Sequence, residues 1–447
     1  MDKQIQIGLL GLGTVGSGVL ETLINNNCDV VIKKIADIDT EKMKQYPEIP
    51  REVFTTDARD LINDTDIKII VELIGGITPA FEFIKEAIKA KKHIVTANKE
   101  LIAKRGKELF QLAEENNVVI LYEAAVAGGI PIIMPLKQSL VGNKITKIVG
   151  ILNGTTNYIL TKMEQEGSNF EVVLKEAQKL GYAEADPAGD VQGHDAAYKI
   201  AILASLAFNK NVGINSVYVE GIDKISPVDI AFAKELGYKI KLIGLVQNGE
   251  GDILDVRAHP MLVPESHIIS GINDALNAVV IEGEPVSRVM FSGPGAGKFP
   301  TASSVVGDIL SIANEICVVD YPLPIMRYDK NQKDAVIKNI KDTVNKYYIR
   351  VTTDNTPGVI GELGVICGEK GINLYSIIQK VHQDDGKAQI ILLTEEAKEE
   401  NIKCAVEKFV QSSSIKQINN IIRVMDCSSC YCKEQGEIKQ SSAAAVI

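Results

Sequence analysis

Over the first 130 residues, short apolar runs alternate with longer runs of helical periodicity. The short runs, each of a length typical of a buried strand, are 4–9, 30–37, 67–73, 93–97 and 118–123. Between them, segments such as 79–90 and 99–116 repeat apolar residues every three or four positions, as helices do. Strands that alternate with helices predict an α/β fold with a parallel, doubly wound sheet, here over residues 1–130.

From about residue 130 the alternation gives way to a mixture of strands and helices. We predict a second, α+β domain over residues 131–294. Residues 295–318 combine a glycine loop with a helical run, and we assign them to the first domain. Residues 319–344 contain prolines and then a charged stretch, which is typical of a linker.

The C-terminal part has its own pattern. Residues 345–426 read as strand, helix, strand, strand, helix, strand, an order that predicts a small ferredoxin-like βαββαβ domain. Residues 427–447 are expected to be a flexible tail. Its three cysteines, Cys427, Cys430 and Cys432, have no fourth soft ligand nearby. We therefore favour a disordered tail over a metal site.

Composition and charge narrow the function classes. The 447 residues require two or three domains, and 45% hydrophobic content is typical of a folded globular chain. A net charge of −10 without a basic block argues against a nucleic-acid partner. No apolar run reaches the roughly 18 residues of a membrane helix, and the N-terminus enters a strand directly. We therefore expect a cytoplasmic protein with no membrane partner.

The first predicted strand runs into a glycine-rich turn and a helix. This turn, GLGTVG, supplies the candidate cofactor-binding residues Gly11, Gly13, Thr14, Val15 and Gly16. Asp37 follows Gly16 at about the spacing of the acid that binds the adenosine ribose in dinucleotide sites. The alternative is a tight turn without a ligand. Asp37 favours NAD, but Lys33, Lys34 or Lys42 could accommodate the 2′-phosphate of NADP, so the cofactor preference stays open.

Three further polar segments permit two interpretations each. Lys99, after a predicted strand, could contact cofactor or substrate, or could be a solvated residue of a helix capped by Asn98. Glu123 could hold a hard cation together with nearby carbonyl groups, although a buried acid that ends a strand is the favoured interpretation. The segment NGTTN (153–157) could cap a helix or line a polar pocket.

The segment 184–199 concentrates acids before a lysine. Glu184, Asp186, Asp190 and Asp195 precede Lys199, and the run that follows is apolar. Asp195 and Lys199 share a face of a helix that we predict to begin near Asp190. A surface ion pair would be ordinary, but the apolar neighbours predict a buried helix, where a charged pair costs desolvation.

Together these motifs resemble the homoserine dehydrogenase family over nearly all of residues 5–318. The resemblance rests on GLGTVG, VELIGG, VTANKELIA, YEAAVAGGIPI, GILNGTTNYIL, LGYAEADPAGDVQGHDAAYKIAILA and GAGKFPTASSVVGD. It implies reversible NAD(P)-dependent interconversion of L-homoserine and L-aspartate 4-semialdehyde. The C-terminal unit resembles an ACT domain, and its DNTPG turn (354–358) resembles the loop where amino-acid effectors bind.

The resemblance also implies residue roles. Lys199 matches the acid/base lysine and Lys99 a second active-site lysine near the cofactor. The remaining matches are Glu184 and Asp195 for homoserine, Gly181 and Gly297 for the cofactor, and Glu123, Val126, Gly128 and Ile130 for a sodium ion. Carboxylates suit the substrate ammonium, and a lysine can exchange a proton with the substrate oxygen.

Two alternative functions fit these motifs less well. An acyl-phosphate-forming aspartate semialdehyde dehydrogenase would need a nucleophilic cysteine, and Cys28 and Cys317 are wrongly placed for that role. A catalytically inactive amino-acid sensor is disfavoured because Lys99, Glu184, Asp195 and Lys199 are all present. The ACT-like unit could bind threonine as a feedback inhibitor or serve only assembly. A homodimer or homotetramer is expected.

Overall fold

The computed structural model describes residues 4–25, 29–318, 332–381 and 386–426. Cys28, the first half of the predicted linker (319–331) and the tail with Cys427, Cys430 and Cys432 lie outside these ranges. Cys367 is a buried free thiol and Cys404 a half-buried one. Among the described residues, no helix is both long and apolar enough to cross a membrane.

The first 130 residues form a six-stranded sheet with helices between the strands. The strands are β1 (Ile5–Leu10), β2 (Val30–Ala36), β3 (Phe54–Thr55), β4 (Ile67–Glu72), β5 (His93–Thr96) and β6 (Ile120–Leu121). The helices are α1 (Thr14–Asn25), α2 (Thr40–Met43), α3 (Arg59–Ile62), α4 (Thr78–Lys89) and α5 (Lys99–Glu115). All strands pair in parallel in the order β3-β2-β1-β4-β5-β6. This order defines a Rossmann fold and confirms the predicted fold class.

The middle of the chain mixes strands and helices. Its strands are β7 (Lys144–Ile151), β8 (Lys210–Asn211), β9 (Tyr218–Val219), β10 (Tyr238–Asn248), β11 (Leu254–Pro264), β12 (Leu276–Glu284), β13 (Ser287–Pro294) and β14 (Lys333–Asp334). Its helices are α6 (Gly154–Glu166), α7 (Phe170–Lys179), α8 (Ala188–Val191), α9 (His194–Ala207), α10 (Pro227–Glu235) and α11 (Lys298–Val318). Antiparallel strands in the order β13-β12-β7-β10 form the sheet on which α6 and α9 pack.

Helix α11 returns to the first sheet. Its buried residues Ala302, Val305 and Ile309 share one hydrophobic core with Ile7 of β1 and Val19 of α1. The chain leaves the Rossmann sheet after β6 and contributes to its core again more than 170 positions later. A hydrogen bond from the backbone nitrogen of Glu123 to Asp308, 185 positions away, also joins the two parts.

The C-terminal residues form β15 (Val344–Asp354), α12 (Val359–Glu369), β16 (Leu374–Val381), β17 (Lys387–Thr394), β18 (Ala397–Lys398), α13 (Glu399–Gln411) and β19 (Ile415–Val424). The four long strands pair antiparallel in the order β19-β15-β17-β16. Side chains alternate along β15, so Tyr347, Ile349 and Val351 enter the core formed with α12 and α13. The observed order is the predicted βαββαβ order with one short additional strand.

Residue contacts divide the chain into two compact units. The first comprises 1–223, 242–259 and 272–338, and the second comprises 224–241, 260–271 and 339–447. All candidate catalytic, cofactor and cation-site residues belong to the first unit. The second unit contains the ACT-like βαββαβ elements and helix α10.

The helix predicted to begin near Asp190 is interrupted. Residues 188–191 form the single turn α8, and α9 begins at His194 after Gly193, whose φ is 85°. A left-handed φ ends one helix and lets the chain re-enter the next at a new angle. Asp195 and Lys199 are therefore both in the first two turns of α9, and Asp190 is not on that helix.

Candidate active site

The glycine-rich loop leaves room for a phosphate at the start of α1. Gly11 has a φ of 98°, and a Cβ on Gly16 would lie 2.0 Å from the carbonyl oxygen of Gly11, so no larger residue fits there. A Cβ on Gly13 would meet nothing within 4 Å. This open space, which Thr14 and Val15 adjoin in the first turn of α1, lies at a helix N-terminus, which favours an anion such as a pyrophosphate.

Asp37 lies beside a cavity of about 410 Å³ next to this loop. The cavity is lined by residues that include Gly11, Gly13, Asp37, Ile38, Lys42 and Phe83. The Asp37 carboxylate accepts hydrogen bonds from the backbone nitrogens of Leu12 (2.7 Å) and Asp39 (2.8 Å). Burial alone would raise the pKa of Asp37, but these hydrogen bonds and Lys42 lower it, so the carboxylate stays charged.

Two of the lysines considered for a 2′-phosphate are in different situations. The Lys42 ammonium lies 3.2 Å from an Asp37 oxygen, at the cavity wall. The Lys33 ammonium instead pairs with Asp64 (2.9 Å) and Asp66 (2.7 Å). Lys42 is thus the one of these two lysines that lies beside Asp37.

The two candidate catalytic lysines converge on one carboxylate. Lys99 is the first residue of α5, which Asn98 caps by accepting a hydrogen bond from the nitrogen of Leu101 at 3.1 Å. The Lys99 ammonium lies 2.5 Å from Oδ1 of Asp195, and the Lys199 ammonium lies 2.7 Å from Oδ2. Residues almost 100 positions apart in the chain thus form one charged cluster.

Asn153 connects this cluster to Asp190. Its side-chain nitrogen donates to Asp190 (2.7 Å) and to Oδ2 of Asp195 (2.9 Å). Its side-chain oxygen accepts from the backbone nitrogen of Thr156 at 2.8 Å and so caps α6. Both interpretations of NGTTN therefore hold, because the same amide caps the helix and reaches the pocket. Sequence reasoning did not identify Asn153 as a partner of Asp195.

Lys199 has one further partner, the carbonyl oxygen of Leu152 at 2.7 Å. An ammonium has three N–H donors, and two of the three are accounted for by Asp195 and Leu152. One donor therefore remains for a bound molecule. The Lys199 side chain is 9% exposed and that of Lys99 is 43% exposed, so Lys99 is the more accessible of the two lysines.

The pKa values of the two lysines are shifted in opposite directions. Burial lowers the pKa of Lys199, and the charge of Lys99 lowers it further, against the opposing effect of Asp195. Burial acts the same way on Lys99, but Asp195, Asp190 and Glu184 outweigh it and raise its pKa. Burial would raise the pKa of Asp195, yet the two lysines and Asn153 hold it well below its usual range. Asp195 therefore stays ionised and Lys99 stays protonated, while Lys199, which lies beside them, gives up its proton more readily than usual.

The other acids of 184–199 have distinct positions. Glu184 is exposed in the loop after α7, close enough to Lys99 for its charge to raise that pKa. Asp186 accepts a hydrogen bond from the nitrogen of Ala188 at 3.1 Å, just before α8. Burial and the charge of Asp195 raise the pKa of Asp190. Asp186 is therefore engaged locally, whereas Asp190 belongs to the network of Asn153 and Asp195.

Gly181 and Gly297 have backbone conformations that favour glycine. Gly181 has a φ of 79°, and a Cβ there would meet nothing within 4 Å. Gly297, with a φ of 117°, immediately precedes α11. Both leave backbone accessible, but the described contacts do not include them with Lys99 and Lys199.

The Glu123 carboxylate is engaged by backbone groups. It accepts hydrogen bonds from the nitrogens of Ile132 (2.5 Å), Ile133 (2.7 Å) and Met134 (2.7 Å). The carbonyl oxygen of Gly128 accepts a hydrogen bond from Ser304 at 2.7 Å. Among the described residues, no cluster of histidine, cysteine or acidic side chains suits a metal ion. Three of the roughly four acceptor positions of the Glu123 carboxylate are thus occupied, so a cation here would depend mainly on backbone carbonyl oxygens.

Comparisons with known proteins identify the family of this chain. Residues 11–123 match the family model described as "Homoserine dehydrogenase, NAD binding domain", and residues 131–310 match the model described as "Homoserine dehydrogenase". The homoserine dehydrogenase of Synechocystis is 45% identical over 432 residues, which cover 94% of this chain and 99% of that protein.

Solved structures are similar too. The homoserine dehydrogenase of Thiobacillus denitrificans superposes with a TM-score of 0.89 at 38% identity, covering 94% of this chain and 98% of that one. A hyperthermophilic archaeal homoserine dehydrogenase in complex with NADPH gives a TM-score of 0.59 at 27% identity, covering 69% of this chain and 97% of that one. The chain therefore belongs to the homoserine dehydrogenase family of NAD(P)-dependent oxidoreductases.

Proposed function

We propose that the cluster of Lys99, Asp195 and Lys199 is where this chain interconverts L-homoserine and L-aspartate 4-semialdehyde, with Lys199 as the acid/base residue. The observation that carries this assignment is the shared Asp195 carboxylate, 2.5 Å from one ammonium and 2.7 Å from the other. A buried charge cluster of this kind costs desolvation energy, which a structural role would not require.

The cofactor supplies the hydride in aldehyde reduction and accepts it in alcohol oxidation. As the aldehyde carbon gains the hydride, its oxygen gains negative charge and needs a proton. Lys199 can donate that proton through the N–H that neither Asp195 nor Leu152 occupies. In the reverse direction, neutral Lys199 takes the proton from the alcohol, and its lowered pKa makes this form accessible.

Asp195 and Lys99 assist without carrying the proton. Three of the roughly four acceptor positions of the Asp195 carboxylate are used by Lys99, Lys199 and Asn153. The remaining position is available to the substrate ammonium. Lys99, whose pKa is raised, stays protonated and favours negative charge on the reacting oxygen.

Glu184 is the more available partner for the substrate ammonium. Its carboxylate is exposed, and in the described part of the chain it is not engaged in a hydrogen bond or ion pair. We propose that Glu184 and the free position on Asp195 bind homoserine. The open faces of Gly13 and Gly181 and the turn at Gly297 support proposing them as cofactor contacts.

The test is an initial-rate assay with homoserine and either NAD⁺ or NADP⁺, followed at the absorbance of the reduced nicotinamide. We expect turnover with homoserine and none with L-serine, whose shorter side chain misplaces the hydroxyl. A folded protein that binds the reduced cofactor without turning over homoserine would support the alternative of an amino-acid sensor.

We also propose a sodium ion near Glu123, held by backbone carbonyl oxygens of Glu123, Val126, Gly128 and Ile130. Hard cations prefer such oxygen ligands. The short turn 123–125 and the left-handed Ala127 and Gly128 gather these carbonyls in one region. Replacing sodium by potassium should weaken the effect of the ion on thermal stability, and equal stability in both salts would contradict the proposal.

Regulation by threonine through the ACT-like elements is a further proposal, supported by the exposed loop 354–358 between β15 and α12. We also propose that the protein forms a homodimer or homotetramer in the cytoplasm. Light scattering would give the oligomer size, and a monomer at micromolar concentration would contradict that part.

A further inference from the structure

A second cavity, of about 240 Å³, lies in the first unit and apart from the site described above. Its walls are the later turns of α5 and α9 and the segment 136–141. The apolar lining includes Ile102, Phe110, Leu136, Ile202, Leu206 and Val212. The same two helices carry Lys99, Asp195 and Lys199 in their first two turns. The cavity and the active site therefore lie at different positions along α5 and α9.

A buried tyrosine hydroxyl opens into this cavity. Tyr122 lines it and is only 5% exposed, with its ring 5.1 Å from that of Phe110. Within the described ranges, no hydrogen bond satisfies the hydroxyl group. The hydroxyl oxygen is not among the fully buried polar atoms that lack a partner, so it is accessible to a molecule in the cavity.

A lysine without a counterion lies on the same wall. Lys137 lines the cavity, and its ammonium makes no hydrogen bond or ion pair with any residue that the structure describes. Burial lowers its pKa, while Asp308 and Glu123 oppose this only from a distance. Asp308 accepts a hydrogen bond from the backbone nitrogen of Glu123, and the Glu123 carboxylate accepts three from the nitrogens of residues 132–134. In the described part of the chain, neither acid therefore makes a direct contact with the Lys137 ammonium.

The other charged residues on the lining are already engaged. Lys107 pairs with Asp334 at 2.7 Å, and Glu114 has an interaction partner of its own. The polar side chains of Ser205, Asn211 and Gln332 on the lining also have partners. Lys137 and Tyr122 thus offer a cation and a hydroxyl donor beside an apolar surface. Both donors suit a carboxylate, and the apolar surface suits a short hydrocarbon chain.

We propose that this cavity is a binding site for a small monocarboxylate with an apolar body, whose carboxylate contacts Lys137 and Tyr122. The site is separate from the substrate and cofactor sites, so it does not depend on the assignment of Lys199. A zwitterion is disfavoured because its ammonium group would need a free carboxylate. Glu114 is the acid on the described lining, and it already has a partner.

Calorimetric titration with hexanoate tests the proposal, and hexanamide is the uncharged control. The wild-type protein should bind hexanoate at least about tenfold more tightly than hexanamide, the factor expected for one charge-assisted hydrogen bond in a part-buried site. Lys137→Met should remove this preference and leave hexanamide binding unchanged. Tyr122→Phe should weaken hexanoate by a smaller factor.

A cavity-filling variant separates this site from binding elsewhere. Ala103 lines the cavity on α5, and Ala103→Leu should abolish binding of both probes while the affinity for NADPH is retained. If the wild type shows no saturable hexanoate binding, or if Ala103→Leu and Lys137→Met both bind hexanoate as the wild type does, the proposal is wrong. Either variant alone suffices if the other fails to fold.

Discussion

At the scale of single residues, Asp195 gives two chemically equal lysines different tasks. It lies between Lys99, which is open to solvent and keeps its proton, and Lys199, which is buried and loses it more easily. A carboxylate beside a catalytic lysine would by itself oppose proton release. Burial and the second lysine reverse that effect for Lys199, which resolves the conflict between Asp195 as a partner and Lys199 as a base.

Asn153 is predicted to be a positioning residue for this cluster. Asn153→Ser retains a helix-capping oxygen but removes the donors to Asp190 and Asp195. Loss of a hydrogen bond to a charged group, about 1.5–3 kcal/mol, should lower kcat roughly 10- to 100-fold. Because the Asn153 bond lowers the pKa of Asp190, its loss raises that pKa, and the acid limb of the pH–rate profile should move to higher pH.

The control for Asn153→Ser is its affinity for NADPH, measured by fluorescence titration, which should match that of the wild type. A fall in kcat with an unchanged pH profile, together with weaker cofactor binding, would show that Asn153 only supports the fold.

The sequence identified Asp195 and Lys199 because an i,i+4 charged pair in an apolar helix is costly unless it is used. It could not identify Asn153, which lies 42 positions from Asp195 and meets it only because α6 and α9 pack on the same sheet. Nor could it show that the Glu123 carboxylate accepts three hydrogen bonds, since its partners are backbone nitrogens and have no signature in residue type.

At the scale of elements, the break between α8 and α9 positions the cluster. Gly193 has a φ of 85°, and a Cβ there would lie 3.1 Å from the carbonyl oxygen of Glu220. The direction of α9, and hence the position of Asp195 above Asn153, depends on this turn. Periodicity alone suggested one continuous helix, because a single glycine does not disturb the apolar pattern around it.

Gly193→Ala should therefore reduce both stability and activity. The left-handed backbone costs a residue with a side chain about 1–2 kcal/mol, and the close Glu220 carbonyl adds to this. We expect a lower midpoint in urea unfolding and a larger fractional loss of kcat than of NADPH affinity.

Gly189→Ala is the matched control in the preceding turn. Its Cβ would meet nothing within 4 Å, so the variant should unfold and turn over like the wild type. Equal effects of the two substitutions would contradict the role given to Gly193.

Most of the strands and helices predicted for the first 130 residues match the observed elements to within a residue or two. The predicted runs 30–37 and 67–73 correspond to Val30–Ala36 and Ile67–Glu72. The run 118–123 shortens to Ile120–Leu121, because its end turns into the segment around Glu123. Apolar periodicity reports burial, and burial continues past the point where strand pairing ends.

At the scale of the whole molecule, the second unit includes parts of the chain far from the C-terminus. Asp229 of α10 is fully buried and pairs with Arg350 of β15 at 2.7 Å, and it also accepts hydrogen bonds from Tyr348 (3.1 Å) and Asn420 (3.1 Å). Deleting residues 345–447 would remove Arg350, Tyr348 and Asn420 together, and with them the ion pair and two hydrogen bonds of Asp229. Such a deletion would therefore confound regulation with stability.

A point substitution is the better test of feedback inhibition. Asn355 is exposed in the loop before α12, and Asn355→Ala should raise the threonine concentration for half-inhibition at least about tenfold, the effect of one lost polar contact to a bound ligand. Uninhibited kcat should not change. Gln411→Ala, an exposed position at the end of α13, is the control and should leave inhibition intact.

If the wild type is insensitive to threonine, or if Asn355→Ala is inhibited as strongly as the control, the ACT-like unit does not regulate through this loop. The order of its elements followed from local patterns. The inclusion of 224–241 and 260–271 did not, because contacts such as that of Asp229 with Arg350, 121 positions apart, have no local signature.

The most direct test of the account is the kinetics of Lys199→Met, a substitution that retains the length and apolar stem of the side chain. We expect kcat for aldehyde reduction to fall by at least about 10²-fold, as for the loss of a general acid, while the dissociation constant for NADPH stays within about twofold. In the wild type, the reduction rate should decline as pH rises through a pKa below the ordinary lysine value of 10.5, because protonated Lys199 is the active form. A variant that retains wild-type kcat and the same alkaline limb would contradict the central role of Lys199.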